Sequence, residues 1–218
     1  MTPPPECPRT RRREKLAPDP DVRRQIVSAA SEALREDGVR GLSIAAVLNR
    51  AGLGTRAFYR HFASKDELVA AVFLEASRVE KRRLRRRMAA AANDIEAVVA
   101  WIDGRLDLAF DADVGSDLRR LSMEAQSQTL ASPDLVHPAY AEMLEPLTEA
   151  LRHGLASGAF LHIDPVTDAQ FIHGVVWAGI DQHWTTGQDD RQEVRHSVLR
   201  FCLSALGVPP GVVACAEN

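Results

Sequence analysis

The stretch that decides the fold spans residues 43–68 and reads SIAAVLNRAGLGTRAFYRHFASKDEL. The apolar residues of its first part are Ile44, Val47, Leu48 and Ala51. Their spacing of three to four residues predicts a helix with one buried face. Gly52 can take the left-handed conformation that ends a helix, and residues 55–62 predict a second short helix. The sequence therefore predicts two short helices joined by a turn tight enough to cross them steeply, a helix-turn-helix.

The second short helix carries side chains suited to DNA. In a helix-turn-helix this helix lies in the major groove with its N-terminal residues against the base edges. Arg56 and Arg60 can bond O6 and N7 of guanine, whereas Tyr, His, Thr and Lys suit phosphate oxygens. The alternative is that the two arginines are ordinary solvated side chains. For Phe58 and Phe62 we adopt the plain interpretation that both belong to the core.

With these motifs together, the sequence resembles the Tet repressor (TetR) family of regulators. The resemblance covers about residues 20–70 and rests on the Ala-Gly turn, the Tyr-x-His-Phe segment and the Ser-Lys-x-x-Leu helix start. It implies a dimeric, all-helical transcriptional repressor whose divergent C-terminal domain binds a ligand.

The resemblance also implies which residues touch DNA. The positions implied to contact the DNA backbone are Ser43, Tyr59, His61 and Lys65. The positions implied to reach bases are Thr55, Arg56 and Arg60. Two residues depart from the family pattern, which usually has Ser or Thr at Gly54 and Gly at Arg56. We therefore expect an unusual operator preference.

Outward from this stretch, the whole chain predicts helices. Asp19 and Pro20 begin a first helix that we expect to end near Asp37, and Ser64 with Glu67 forms a capping box for a helix reaching about residue 91. Further helices are predicted at about 94–111, 115–131, 134–158, 165–187 and 189–206. No alternating strand pattern and no repeat occurs, so the class is all-α.

We divide the chain into five parts. The predicted parts are a disordered basic arm at 1–18, a three-helix helix-turn-helix domain at 19–66, a connecting helix at 67–91, a helical ligand-binding and dimerisation domain at 92–208, and a flexible tail at 209–218.

The charge distribution agrees with a nucleic-acid-binding N-terminal half. Residues 1–88 hold 20 Lys and Arg against 11 Asp and Glu, whereas residues 89–218 hold 7 against 19. Such asymmetry suggests a nucleic-acid-binding end, and the alternative is a chance bias in solvated faces. The beginning lacks the apolar region of a secretory signal, and no stretch is long enough to span a membrane. The three cysteines suggest reduced thiols, so we expect a cytoplasmic protein with no membrane partner.

Two basic segments lie outside the motif. The arm holds Arg9, Arg11, Arg12, Arg13 and Lys15, and it either enters a minor groove or is a solubilising tail. In the run 81–87 (KRRLRRR), like charges meet at four-residue spacing, which the helix dipole and the acidic C-terminal half can offset. We favour a solvated helix end for this run over direct contact with DNA.

The last two long helices predict a dimer interface. The segment FIHGVVWAGI at 171–180 is apolar almost all round, and the last helix has the same breadth. A second apolar side needs another partner, which a two-fold dimer supplies. The candidate interface residues are Phe171, Val175, Ala178, Gly179, Val198, Phe201, Cys202 and Leu206. The two reading helices would then lie about 34–36 Å apart on a palindromic operator.

A ligand cavity would lie among the other helices. The candidate lining residues are Trp101, Met123, Gln128, Met143, Leu147, His173, Trp177 and Trp184, each of which also suits ordinary core. Few polar residues interrupt these apolar stripes, so we expect a hydrophobic or amphipathic effector. No metal site, cofactor or catalytic residue is predicted, since no phosphate loop, HExxH motif or catalytic triad occurs. Two alternatives remain: a helical lipid- or small-molecule-binding protein without specific DNA binding, and an enzyme on a helical bundle.

Overall fold

The computed structural model describes residues 19–111, 116–186 and 190–217, and these residues form ten helices and no strand. The all-α prediction is therefore confirmed. The basic arm at 1–18 lies outside the described residues. The helices are α1 Pro20–Gly41, α2 Ile44–Ala51, α3 Thr55–His61, α4 Lys65–Met88, α5 Asp94–Phe110, α6 Ser116–Ala131, α7 Pro133–Ser157, α8 Pro165–Thr186, α9 Arg191–Ala205 and α10 Pro210–Glu217. In these ranges no helix is long and apolar enough to cross a membrane.

Side-chain caps begin α1 and α4 where the sequence predicts. The Asp19 carboxylate accepts the amide of Asp21 at 2.9 Å, and the Ser64 hydroxyl accepts the amide of Glu67 at 3.1 Å. The Glu67 carboxylate reaches back to the amide of Ala63 at 2.6 Å, which completes the capping box one residue earlier than the usual pattern. These caps satisfy amides that have no partner inside the helix.

The first helix breaks at Gly38, directly after the predicted end at Asp37. Gly38 (φ +66°, ψ 179°) introduces a kink, and the helix then runs to Gly41. The Glu124 carboxylate of α6 accepts the amide of Val39 at 2.9 Å. A contact from a distant helix therefore supports the residues that follow the kink.

Two hydrophobic cores share one helix. The first core joins α1, α2, α3 and the start of α4 to Leu121, Val136 and Ala139. The second core joins α5, α7, α8 and α9, and it includes Leu84 near the end of α4. Because α4 belongs to both cores, any shift of α4 in one core must be accommodated in the other.

The chain after α9 is a helix packed on the protein. The prediction of a flexible tail at 209–218 is wrong for residues 210–217, which form α10. Val213 is buried in the second core, and the Arg195 side chain donates to the carbonyl of Ala216 at 3.1 Å. Pro210 suits the first position of a helix, and Val213 and Ala216 lie on one face of it.

Part of the basic run at the end of α4 is paired with acidic residues of α5 and α7. Lys81 bonds Glu142 at 3.1 Å and also Glu145, and Arg85 bonds Glu145 at 3.0 Å and Glu149 at 2.9 Å. The Arg87 guanidinium lies 2.6 Å from the carboxylate of Asp107. The solvated interpretation is therefore wrong for Lys81, which is 19% exposed, whereas Arg85 and Arg87 are both paired and exposed.

Candidate nucleic-acid interface and internal cavity

The turn between α2 and α3 is built as the sequence predicts. Gly52 has φ +64° and ends α2 in the left-handed conformation. The amide of Leu53 then bonds the carbonyl of Leu48 at 2.9 Å, and the Gln25 side chain donates to the carbonyl of Ala51 at 2.7 Å. Helix α3 begins at Thr55, directly after this turn. Because α2 and the Gln25 side chain of α1 both hold the turn, they together set the direction of α3.

Two phenylalanines anchor α3. Phe58 and Phe62 are buried, with ring centroids 5.8 Å apart, which agrees with their assignment to the core. The guanidinium carbon of Arg23 lies 5.1 Å from the ring centroid of Phe62, within the range of a cation–π contact. With one face held in this way, the opposite face of α3 must point outward.

The outward face of α3 gathers the predicted DNA contacts. Thr55, Arg56 and Arg60 are exposed, and the ring of Tyr59 is 64% exposed. Ser43 is exposed at the start of α2, where its hydroxyl makes no capping bond. These side chains form a surface of cations and hydrogen-bonding groups around one short helix.

His61 and Lys65 lie at the edge of this surface. Lys65 is partly buried. Both ring nitrogens of His61 are buried, and neither has a hydrogen-bond partner among residues 19–111, 116–186 and 190–217. His61 must therefore turn, or be approached closely, before it can contact a phosphate.

A small internal cavity lies between α4, α5, α6, α7 and α8. Its volume is about 30 Å³. Its lining residues are Phe73, Ala76, Ser77, Glu80, Arg105, Leu118, Leu121, Ser122, Ala125, Ala139, Tyr140, Met143 and Trp177. We call residues 20–63, which contain α1, α2 and α3, the reading head. The cavity lining thus comes from both α4, which packs against the reading head, and α6, which contacts α1.

A buried ion pair stands in the wall of this cavity. Arg105 donates to Glu80 at 2.9 Å, and Arg83 donates to the other oxygen of Glu80 at 2.9 Å. Burial alone would raise the pKa of Glu80, but the bonds from Arg83 and the charge of Arg105 outweigh it and lower the pKa below its usual value. The carboxylate is therefore ionised and ties α4 to α5.

The predicted ligand residues divide into three groups. Met143 and Trp177 line the cavity, whereas Met123 is 45% exposed and Gln128 bonds Glu124 and Ser127, so neither of these two reaches it. Behind the lining lie Trp101, Leu147, His173 and Trp184.

His173 lies within this aromatic cluster. Its ring centroid is 5.1 Å from that of Tyr140 and 6.4 Å from those of Trp101 and Trp177. Burial, with a smaller effect from the charge of Arg105, lowers the pKa of His173 to about 3. The imidazole is therefore neutral near pH 7.

The sequence interpretation missed the polar members of the wall. Glu80, Arg105 and Tyr140 were not among the candidates, and the expectation that few polar residues interrupt the apolar stripes is wrong for α5. The signal was present, because Asp103, Arg105 and Asp107 stand inside an otherwise apolar helix. Buried charges of this kind are retained only when they are paired.

Some of the predicted interface residues are exposed, and others are buried in the core of the chain itself. Phe171 is 65% exposed and Phe201 is 61% exposed, and Ala178 and Val175 lie on the same face of α8 as Phe171. In contrast, Val198, Cys202 and Leu206 are buried in the second core of the chain itself and do not reach the surface.

Gly179 also serves packing within the chain. A Cβ at this position would lie 2.8 Å from a methyl carbon of Val194 on α9. The glycine therefore permits the close approach of α8 and α9. Across the described ranges, no group of three or more His, Cys, Asp or Glu residues could hold a metal ion.

The N-terminal part of the chain is similar to a known family. Residues 26–72 match the sequence model of the bacterial regulatory proteins of the tetR family. No curated protein sequence matches the chain.

Solved structures match nearly the whole chain. RolR in complex with the ligand resorcinol has a TM-score of 0.65 at 20% identity, covering 91% of this chain and 93% of its own. The transcriptional regulator FadR from Bacillus subtilis with stearoyl-CoA has a TM-score of 0.64 at 20% identity, covering 83% and 97%. The reduced form of NemR from E. coli has a TM-score of 0.62 at 17% identity, covering 87% and 100%. Similarity at this level of identity establishes a shared fold.

Proposed function

We propose that this chain, a DNA-binding transcriptional regulator, is a repressor that a small molecule releases from its operator. The starting point is the match of residues 26–72 to the tetR family of bacterial regulatory proteins. It binds a palindromic operator as a homodimer and acts in the cytoplasm, where bacterial DNA lies. The observation that carries the proposal is the exposed face of α3, which stands on a pair of buried phenylalanines.

Different residues at the reading helix α3 would contact the bases and the phosphates of DNA. Arg56 and Arg60 are exposed on α3 and long enough to reach base edges in the major groove, and Thr55 stands at the start of the same helix. Ser43, Tyr59, His61 and Lys65 surround them and suit phosphate oxygens. Phosphate contacts set the register, so the arginines would determine which sequence is bound.

A homodimer would cover the exposed apolar face of α8 and α9. Phe171 and Phe201 are large, apolar and mostly exposed, and the small residue Ala178 on the same side of α8 allows close approach. Exposed apolar side chains of this size are typical of interaction surfaces. A two-fold axis there would present two copies of α3 to two operator half-sites about 34–36 Å apart.

The cavity is the site where an effector would act. Its walls include Phe73 and Glu80 of α4 and Leu121 of α6. Phe73 also belongs to the core of the reading head, and the Glu124 carboxylate of α6 accepts the amide of Val39 in α1. A molecule that widens the cavity would therefore displace both helices that position the head.

The ligands of structurally similar regulators support a small-molecule effector. RolR was solved with resorcinol and FadR from Bacillus subtilis with stearoyl-CoA. A ligand with an apolar or aromatic body suits a cavity lined by Phe73, Met143 and Trp177.

The test is a selection of genomic DNA fragments with the purified full-length protein at near-physiological salt, followed by footprinting of the fragments retained. We expect protection of a palindrome. Genes beside that palindrome then supply candidate effectors, which should release the labelled fragment. Equal retention of all fragments would contradict specific regulation and would favour a helical ligand-binding protein whose basic half supplies only charge.

A further inference from the structure

We propose that the effector presents an oxygen acceptor on an aromatic body, and that Arg105 and Trp101 of α5 bind this oxygen. The inference rests on the proposed function, in which the cavity between α4 and α8 is the effector site. It names the chemistry that the ligand must carry.

Two buried donors on α5 have no acceptor among the residues that the structure describes. Trp101 is fully buried and Arg105 is 2% exposed. The indole Nε1 of Trp101 and the Nε of Arg105 both lack a hydrogen-bond partner within the described ranges. Most buried polar groups in proteins have such a partner, so two exceptions four residues apart on α5 need an explanation.

The two donors lie on one face of α5, Arg105 in the wall of the cavity and Trp101 in the layer behind that wall. Residues 101 and 105 are four apart in α5, and side chains at this spacing lie on the same face of a helix. Arg105 lines the cavity. The ring of His173, which stacks 5.1 Å from Tyr140 of the cavity wall, lies 6.4 Å from the ring of Trp101.

Both groups can only donate. An indole offers one N–H and a guanidinium offers five, and neither has an acceptor atom. Whatever completes them must therefore supply an acceptor, for which a carboxylate or a phenolic oxygen is suitable. The Nδ1 of His173 is also buried without a partner in the described part of the chain, and a neutral imidazole can adapt by donating or accepting.

The charge around the cavity favours an electron-rich oxygen. Glu80 accepts bonds from both Arg83 and Arg105, and Arg83 also lies 3.6 Å from the carboxylate of Asp107. Arg105 is therefore the cation of this group that an electron-rich oxygen of the ligand would meet. The Nη1 of Arg105 is used by Glu80, whereas its Nε is not. The ligand can therefore add to the ion pair without breaking it.

The rest of the lining suits an aromatic ring. Phe73, Tyr140 and Trp177 offer faces for stacking, and Met143 offers a flexible thioether. The cavity of about 30 Å³ has room for about two water molecules. A ring must therefore displace side chains as it enters, which is the movement that release of DNA requires.

The test is isothermal titration of the full-length protein with benzoate, phenol and toluene, which share one ring and differ in their acceptor. We expect benzoate or phenol to bind at least about tenfold tighter than toluene. In Trp101→Phe this preference should fall by about tenfold. The affinity for toluene should not change. Because Trp101 is fully buried, the smaller ring should cost some stability, so circular dichroism is used to check that Trp101→Phe is folded before titration.

Two further variants complete the design. Arg105→Lys keeps a cation for Glu80 but removes the Nε donor, so the preference should fall again. Trp184→Phe, a tryptophan packed against Trp177 behind the cavity, should keep the preference. Tighter binding of benzoate than of phenol would identify a carboxylate ligand. Tighter binding of phenol than of benzoate would identify a phenolic ligand.

The contradicting outcomes are distinct from failure of the proposed function. Equal affinities for the three compounds, no binding of benzoate or phenol, or an undiminished preference in Trp101→Phe would overturn the inference. DNA binding is measured separately by fluorescence anisotropy on the selected fragment. Loss of sequence-specific DNA binding there would overturn the regulator, whatever the titrations show.

Discussion

At the scale of single residues, the arginines of α3 decide whether the head reads sequence. Arg56→Ala or Arg60→Ala should cost about 1–3 kcal/mol of binding at one operator position and relax the preference there. The measurement is anisotropy against a panel of operators with single base changes. A loss that is uniform across the panel would reassign that arginine to a phosphate.

His173 gives the protein a pH-dependent stability. Because its folded pKa is about 3, well below the ordinary 6.5, the unfolded chain takes up the proton first as pH falls. The stability that comes from keeping the His173 imidazole neutral in the fold is fully present at neutral pH. It is lost progressively as pH falls below 6.5. His173→Phe should flatten the dependence by roughly 2 kcal/mol between pH 6.5 and about pH 5. Urea unfolding at several pH values measures this.

The matched control for that series is His137→Gln, since His137 is exposed on α7. Its stability should follow that of the unaltered protein at every pH. If His173→Phe followed it too, the buried imidazole would not be the source of the pH dependence.

At the scale of elements, the kink of α1 depends on glycine. Gly38 has φ +66° and ψ 179°, and a Cβ there would lie 3.2 Å from the Glu124 carboxylate. Gly38→Ala should therefore lower the free energy of unfolding by about 1–3 kcal/mol. Gly54→Ala is the control, because Gly54 has φ −90° and open space around it. Equal losses in the two variants would show that the strain lies elsewhere.

The basic end of α4 offers a paired test within one helix. Lys81 and Arg85 bond acidic residues of α7, whereas Arg82 and Arg86 are exposed. The double variant Lys81→Ala/Arg85→Ala should lose about 1 kcal/mol of stability, and Arg82→Ala/Arg86→Ala should stay within about 0.5 kcal/mol. Neither should change the salt dependence of DNA binding. A shallower slope in the second variant would reveal contact with phosphates.

Local signals account for what the sequence predicted well. Asp19, Ser64 and Asn93 cap helices within reach of their own amides, so α1, α4 and α5 begin where expected. Gly52 ends α2 for an equally local reason. Periodicity along a helix, however, cannot say whether an apolar side faces the chain's own core or a partner.

That limit explains the errors at the other end of the molecule. Val198 and Cys202 were assigned to an interface because α9 has apolar residues on two sides, but α10 folds back and joins the same core through Val213. The pair of Glu80 and Arg105 was missed because it joins residues 25 apart on different helices. Neither contact leaves a pattern within one helix.

At the scale of the whole molecule, assembly should decide function. Phe171→Asp with Phe201→Asp places two charges on the proposed two-fold interface and should give a monomer in sedimentation velocity. Affinity for a palindrome should fall by about 10² or more, since the two heads no longer act together. Val212→Asp, on a 42% exposed valine of α10, is the control and should remain dimeric. A double variant that is still dimeric would move the interface elsewhere.

The shared helix α4 also sets a rule for engineering biosensors from this chain. Designers often graft one regulator's reading head onto another's sensing domain, and the natural place to join them would be the helix between. Here that helix supplies Leu68 and Val72 to the head, Phe73 to both head and cavity, and Glu80 to the sensor. A graft should therefore replace residues 20–63 and keep α4 whole, with the donor head chosen to fit Leu68 and Val72. A join placed inside α4 would yield a chimera that binds DNA and ligand but does not connect the two.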